Sequence, residues 1–333
     1  MQVMILAAGR STRLGALGTQ KPKPLVPICG YPAITFSLVR CAAAGLRDVV
    51  INLHHHGAQI RAAIGDGSPF GVLVRYSEEA ELLGTGGGLA RARALFRPGP
   101  VLVMNGKVVA DLPLASLIEA HAAAAQDGPG GTVATMVLRP NPDPGKFPPV
   151  SLDALGRVVA LRGRPGSAKA VGAVTDMMFS GVHILEPALL DRLPAGESDV
   201  IAAAYQPALD AGARVQGLVL AGYFEEHSTP ERYLLGNLAL LRQPDLVAIP
   251  PGPLVGVDAD ARVAAGAEIR APVRIAAGAI VEPGAVVGPE VVVCAGGIVR
   301  AGARVSRSVV WPDAVAEGEI DSAVVTPEGV VQI

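Results

Sequence analysis

Aromatic side chains are scarce in this chain. They make up 4% of its 333 residues, and Trp311 is the lone tryptophan. Any large core must therefore be built from Ala, Val, Leu and Ile; half of the residues are apolar, so the material is ample. Charge is scarce too: 17% of residues carry one and the net is −2. That excludes the polybasic surface that nucleic acid or an anionic membrane would require. Only three cysteines occur, Cys29, Cys41 and Cys294, without the spacing of a metal or redox site. Although half the chain is apolar, no run of about 18 uncharged apolar residues occurs, so no transmembrane helix is expected. The first residues enter a strand at once, with no basic segment or cleavage site, and a reduced, cytoplasmic protein is the expectation. Neither G-x-x-x-x-G-K-[S/T] nor G-x-G-x-x-G is present, so the two commonest glycine-rich nucleotide loops are absent as well.

What is present begins at residue 3. An apolar strand, Val3–Leu6, runs into the small-residue turn Ala7, Ala8 and Gly9, followed by Arg10, Ser11, Thr12 and Arg13. Lys21 and Lys23 follow, the latter between Pro22 and Pro24. Small residues let backbone N–H groups approach a ligand, and cations then meet its phosphates. Strand patterns at 3–6, 48–52, 72–76, 101–105 and 131–138 alternate with helical patterns at 33–44, 58–64, 87–94 and 114–125. The alternation predicts βαβ units in a mostly parallel sheet with helices on both faces. Ligands bind such sheets beyond the carboxyl ends of the strands, where the Ala7–Arg13 loop and the Asn105–Lys107 turn both fall.

The pattern changes after Arg242. Prolines at 244, 250, 251 and 253 punctuate the chain, and from Val257 an aliphatic β-branched residue recurs every six positions: Val263, Ile269, Ile275, Val281, Val287, Val293, Val299 and Val305. Trp311 continues the spacing, and glycines stand at the turns: Gly266, Gly278, Gly284, Gly296 and Gly302. A six-residue repeat of this kind predicts a β-helix solenoid, here of about three coils with Ile320–Ile333 as its cap. A chain of this length suits two domains. Their expected bounds are 1–243 for the α/β domain, 244–253 for a linker and 254–333 for the solenoid.

The Leu6–Leu25 segment resembles the signature loop of the sugar-1-phosphate nucleotidylyltransferases. The resemblance extends through Leu25-Val26-Pro27 and Gly30-Tyr31-Pro32, Leu83-Gly84-Thr85-Gly86-Gly87-Gly88 behind Glu79 and Glu81, Val103-Met104-Asn105-Gly106, Phe179-Ser180-Gly181-Val182, and Phe224-Glu225-Glu226-His227-Ser228. Some details are most similar to N-acetylmuramate-1-phosphate uridylyltransferases, whereas the appended solenoid is more typical of mannose-1-phosphate guanylyltransferases and glucose-1-phosphate enzymes. The resemblance implies a Rossmann-like mixed sheet of the nucleotide-diphospho-sugar transferase kind, followed by a left-handed parallel β-helix. It implies that a nucleoside triphosphate and a sugar-1-phosphate react to an NDP-sugar and pyrophosphate, with Arg13 and Lys23 catalytic. Leu6, Ala7, Ala8, Gly9, Arg10, Ser11, Thr12, Glu79, Glu81, Gly84, Thr85 and Asn105 would bind the nucleotide. Arg164, Ser180 and Gly181 would meet the sugar phosphate. Mg²⁺ is the implied cofactor, with Glu226 as its remaining ligand. The β-helix implies a homo-oligomer or a complex with a paralogue.

Departures from the family pattern matter as much. Where the family has Asn-Gly-Asp, this chain has Asn105-Gly106-Lys107, and the missing aspartate would be the main magnesium ligand. A protonated lysine cannot ligate Mg²⁺ and repels it. Three readings of Lys107 stay open: a fixed cation on the phosphates, the mark of a non-catalytic binding subunit, or an introduced substitution. The family's Glu-Lys-Pro is Gly163-Arg164-Pro165, and a usual glycine is Ser11. Asp111, just before Leu112-Pro113, reads as a helix N-cap. His54, His55 and His56 are consecutive and cannot converge on one ion. His121 reads as structural, and for His183, which follows Phe179-Ser180-Gly181, a place lining the sugar site is the less favoured reading. No histidine follows His227, which argues against solenoid acyl transfer.

Overall fold

The structure is a computed structural model that describes residues 1–126 and 131–333. The chain divides into two compact units. The first comprises 1–9, 40–106 and 112–222; the second comprises 10–39, 107–111 and 223–333. Among the described residues, no helix is long and apolar enough to cross a membrane.

The first unit is built on a ten-stranded sheet. Four strands run parallel in the order Val101–Asn105, Gln2–Leu6, Asp48–Leu53 and Leu73–Glu78. The first three are nearly continuous runs of apolar residues, as strands buried on both faces must be, whereas Leu73–Glu78 lies at the sheet edge and carries Arg75, Tyr76, Ser77 and Glu78. The helix Gly84–Ala92 packs against the last three of these strands, and Leu114–Ala125 packs against strands Ala134–Pro140 and Val215–Val219. The expected mostly parallel sheet needs correction, because its other half is antiparallel. The long strand Thr175–Leu185 pairs antiparallel with Val101–Asn105, Ala134–Pro140 and Pro149–Leu152. The hairpin Pro149–Leu152, Val158–Leu161 and Arg164–Pro165 extends that edge. The mixed sheet of the implied fold class is what forms. Glycines and prolines interrupt the antiparallel segments, which left them without a clear alternation.

The second unit contains the solenoid. Its strands stack as three parallel sheets in which Val257 pairs with Ile275 and Ile275 with Val293, each three hexads further on. Three hexads therefore make one coil of the solenoid that the repeat predicted, and the stacked parallel sheets are consistent with the left-handed β-helix that the resemblance implied. Two details depart from expectation. Four coils form rather than three, since each of the three sheets contributes a fourth strand: Ser308–Val310, Val315–Ala316 and Glu319–Asp321. And Val310, not Trp311, stacks on Val293. The turn at Arg307 is one residue shorter than its counterpart in the coil before, so the spacing slips and the sequence period ends at Val305. Ile320 still pairs with Val305, and the cap proper is the antiparallel hairpin Ala323–Thr326 with Gly329–Gln332.

One apolar cluster runs through this unit. It joins Leu14, Leu17, Val26 and Phe36 to the helix Pro230–Arg242 and to the inward valines of the coils. Trp311 is fully buried there and donates its indole N–H to the Tyr233 hydroxyl at 2.9 Å. That hydroxyl donates to the Pro27 carbonyl at 2.7 Å.

Asp153 holds the hairpin that carries Arg162 and Arg164. Its buried carboxylate accepts the N–H groups of Leu155, Arg157 and Val171 and both Nε and Nη2 of Arg157. Burial alone would raise its pKa, but these hydrogen bonds outweigh it and bring the carboxyl from 3.8 down to about 2. A depressed carboxylate pKa contributes stability above its unfolded value and loses it as pH falls through the folded one. Asp153→Asn is expected to cost roughly 1–3 kcal/mol at neutral pH. The gap between variant and wild-type urea midpoints is expected to close as pH is lowered from about 5 toward 2.

Candidate active site

Sequence places the loop after the first strand and the turn after residue 105 at the carboxyl ends of parallel strands, and the structure agrees. In the first unit Leu6 pairs with both Asn52 and Asn105, so three strand ends lie side by side. The Leu6 carbonyl accepts the Gly106 N–H at 3.0 Å. The Ala7 N–H donates to Asn52 Oδ1 at 2.7 Å, and Asn52 Nδ2 donates to Glu79 Oε1 at 2.6 Å. Glu79 is buried, and its second oxygen accepts the Leu83 N–H at 3.1 Å. Glu79 thus braces the turn at Ala7 and the start of the glycine-rich segment from below, while Glu81 is exposed.

Gly84 and Thr85 open the helix Gly84–Ala92. The Gly86 N–H is taken by the Ser198 carbonyl, and a Cβ on Gly87 would lie 2.0 Å from the Gly196 carbonyl oxygen. The glycines here answer to a close approach of chain residues 196–198. Thr85 Oγ1 lies 3.5 Å from Asp199 Oδ2 and accepts the Val200 N–H at 2.9 Å. Arg162 pairs with the same Asp199 at 3.0 Å. Arg164 turns instead to Asp210 at 2.6 Å. Arg162 and Gly163 form the two-residue turn of a hairpin, both at positive φ (53° and 79°), the primed geometry that such a turn demands.

Ser180 is buried, and its hydroxyl donates to the Val137 carbonyl and accepts the Val182 N–H. It closes a bulge in the long strand. Gly181, at φ 79°, lies so close to Asn105 that a Cβ would stand 2.1 Å from Asn105 Nδ2. His183 is buried against the Tyr205 hydroxyl at 2.6 Å, and burial lowers its pKa to about 3, so it is a neutral core residue. His121 sits between Thr135 and Glu186, as a structural histidine should.

The second unit gathers the charges. Glu226, on the strand Phe224–Glu226 paired with Val108–Ala110, accepts two cations on one oxygen: Lys107 Nζ at 2.5 Å and Arg13 Nη2 at 3.1 Å. Burial would raise the Glu226 carboxyl, but Lys107 above all, then Arg13 and Arg232, bring it down to about 2. Lys23 completes the group. Partial burial, then repulsion from Lys107 and Arg13, lower its pKa from 10.5 to about 8. Two basic side chains thus bond one carboxylate, with Lys23 close enough to feel the charges of all three. Arg10 and Thr12 are exposed beside them in sequence.

Ser11 is the hinge of this arrangement. It adopts a left-handed conformation (φ 58°) that glycine would enter without cost, and its buried hydroxyl accepts the Lys23 N–H at 2.9 Å. That bond ties the segment carrying Arg13 to the one carrying Lys23. The expected N-cap role of Asp111 does not hold. Pro113 occupies the N-cap of Leu114–Ala125 without a side-chain bond, and Asp111 Oδ1 accepts the Ala248 N–H at 3.2 Å.

A divalent metal does not fit these donors. Glu226 is committed to Lys107 and Arg13, its neighbour Glu225 to Arg232, and among the described residues no three His, Cys, Asp or Glu side chains gather. Mg²⁺ needs one or two carboxylates beside waters and substrate phosphates, and here both nearby carboxylates are already paired with cations that would repel it.

Asn52, Arg162 and Asp199 were not singled out from sequence. Asn52 had a readable signal: a lone amide near the carboxyl end of an apolar strand.

Parallel strand ends bearing a small-residue turn in the first unit, and basic side chains gathered about one carboxylate in the second, mark an α/β protein with two distinct polar features. The chain belongs to the nucleotidyl transferase family, whose model matches residues 2–241. It is 33% identical over 244 residues to mannose-1-phosphate guanylyltransferase of Mycobacterium tuberculosis, covering 73% of this chain and 65% of that one. It is 37% identical over 197 residues to N-acetylmuramate alpha-1-phosphate uridylyltransferase of Neisseria meningitidis, covering 59% of this chain and 80% of that one. The fold is shared with HddC of Yersinia pseudotuberculosis, at a TM-score of 0.58 and 21% identity over 72% of this chain and 99% of that one.

Ser11→Ala removes the tie to Lys23 and keeps the left-handed backbone. It is expected to lower stability by about 1 kcal/mol in urea melts. Calorimetry is expected to show weaker pyrophosphate binding. Ser11→Gly should recover stability without recovering that affinity.

Proposed function

We propose that this chain is a sugar-1-phosphate nucleotidylyltransferase. An oxygen of the sugar-1-phosphate attacks the α-phosphorus of a nucleoside triphosphate; the bond from that phosphorus to the bridging oxygen breaks, and pyrophosphate leaves with the electron pair. Charge accumulates on phosphate oxygens in the transition state, so positioned cations are the main catalytic resource. Arg13 and Lys23 supply them in this reading. Leu6, Ala7, Ala8 and Asn105, with the braced segment Glu79–Thr85, frame the nucleoside. Arg162 and Arg164 are the candidates for the sugar phosphate. The named relatives act on mannose-1-phosphate and N-acetylmuramate-1-phosphate. This chain spans just under two thirds of the first of them, and its own base and sugar are for assay to identify.

The observation that carries the proposal is the pairing of Arg13 and Lys107 on a single carboxylate with Lys23 in their electrostatic reach, in a chain of this family. A second supports it. A Cβ on Gly9 would meet no atom within 4 Å, and Gly9 lies outside the left-handed region. The fold by itself does not require glycine there, whereas a ligand pressed against the backbone would.

Pyrophosphate release is to be followed with each nucleoside triphosphate and with mannose-, glucose- and N-acetylmuramate-1-phosphate, with and without Mg²⁺. Release that needs both substrates and disappears in Arg13→Ala is the expected result. Nucleotide binding without release would leave a binding subunit. Gly9→Ala is expected to shift unfolding by no more than about 0.5 kcal/mol. Its nucleotide affinity should fall about tenfold or more by calorimetry.

A further inference from the structure

The cationic cluster holds a charge pattern that a metal-assisted phosphate site would not. Lys107 Nζ lies 2.5 Å from Glu226 Oε1, and Arg13 Nη2 lies 3.1 Å from the same oxygen. Lys107 is a quarter exposed and Glu226 less, whereas Arg13 is largely open to solvent. The lysine is therefore a fixed part of the site, while the arginine can swing onto a ligand. Lys23 is the third cation, held in place through the Ser11 hydroxyl and already destabilised by burial and by its two basic neighbours. One carboxylate against three cations leaves an excess of positive charge that only an incoming anion can compensate. The backbone reinforces Lys107: its carbonyl accepts the His227 N–H at 3.3 Å, next to the residue its ammonium bonds.

A triphosphate or pyrophosphate chelated to Mg²⁺ presents two fewer negative charges than the free anion. Its metal would also be brought against Lys107 and Arg13. The free anion gains from all three cations and meets no repelled ion.

Building on the reading of this cluster as the phosphate cradle, we propose that it binds its polyphosphate as the metal-free anion. Lys107 supplies as a fixed ammonium the positive charge that a bound divalent ion would otherwise bring, and Mg²⁺ competes with the site for the anion instead of assisting it.

Inorganic pyrophosphate is the probe, titrated calorimetrically into the full-length chain in excess EDTA and again in saturating Mg²⁺. Binding is expected to be about tenfold or more tighter in EDTA. Lys107→Asp, verified as folded by its thermal melt, is expected to reverse that order. Lys107→Met is expected to weaken binding in EDTA without creating a preference for Mg²⁺. Tighter wild-type binding in Mg²⁺ than in EDTA overturns the inference and leaves the phosphate cradle standing. An absence of pyrophosphate binding in both conditions overturns the cradle itself, and this inference with it.

Discussion

The Tyr233 hydroxyl joins three distant parts of the second unit. It donates to the Pro27 carbonyl just past the cation loop, accepts from the Trp311 indole in the fourth coil, and belongs to the helix that packs between them. A buried hydroxyl left without partners costs more than its bond gains, so each of these contacts constrains the others. The aromatic rings meet edge-on, with Tyr233 and Trp311 centroids 6.3 Å apart. In a chain with so few aromatics, the only tryptophan stands where the loop, the helix and the solenoid share one core.

That core changes what the solenoid means. As a sequence it reads as a separate repeat appended to a catalytic domain. In the structure its inward valines belong to the same apolar cluster as Leu14, Leu17 and Val26, the residues that underlie Arg13 and Lys23. Lys21 lies over the Trp311 ring at 5.9 Å to its centroid. The cation loop rests on a rigid, regularly paired support, which suits a site whose chemistry depends on charges held at fixed positions.

The sequence made the periodic parts legible and left the rest obscure for physical reasons. Three of the four parallel strands were readable because burial on both faces forces unbroken apolar runs; the edge strand Leu73–Glu78 showed only at its apolar start. The valines of the coils were readable until the Arg307 turn dropped a residue, after which the coils continued without their period. The antiparallel half was only partly readable: Ala134–Pro140 stands out as an apolar run, but Thr175–Leu185 carries Gly181 at its bulge and the strands between Pro149 and Pro165 are too short to show a period. Within the candidate site, Arg13, Lys23, Lys107 and Glu226 were all recognised, and their convergence follows from side-chain reach that no spacing reports. The role of Ser11 was hidden: a residue that looks like a departure from the family pattern turns out to form the bond that links the two cationic segments. Arg164 drew attention through its motif, yet its guanidinium is bound to Asp210, while the unremarked Arg162 next to it reaches Asp199 beside Thr85.

The long reach of that shared core has a consequence for how the chain is made. Gln20 donates to Thr326, a partner 306 residues further along, and the Cys29 backbone N–H donates to Asn237 Oδ1. Domains generally fold as their own residues leave the ribosome, but contacts this distant in sequence cannot form until the last coils have emerged. The segment from Arg10 to Val39 is synthesised long before the coils it packs against and cannot find its packing until they follow. During translation the emerging sheet of the first unit must therefore coexist with an unfinished cationic loop and its exposed leucines. The nascent chain stays exposed to chaperones and proteases at that segment until the coils have been made.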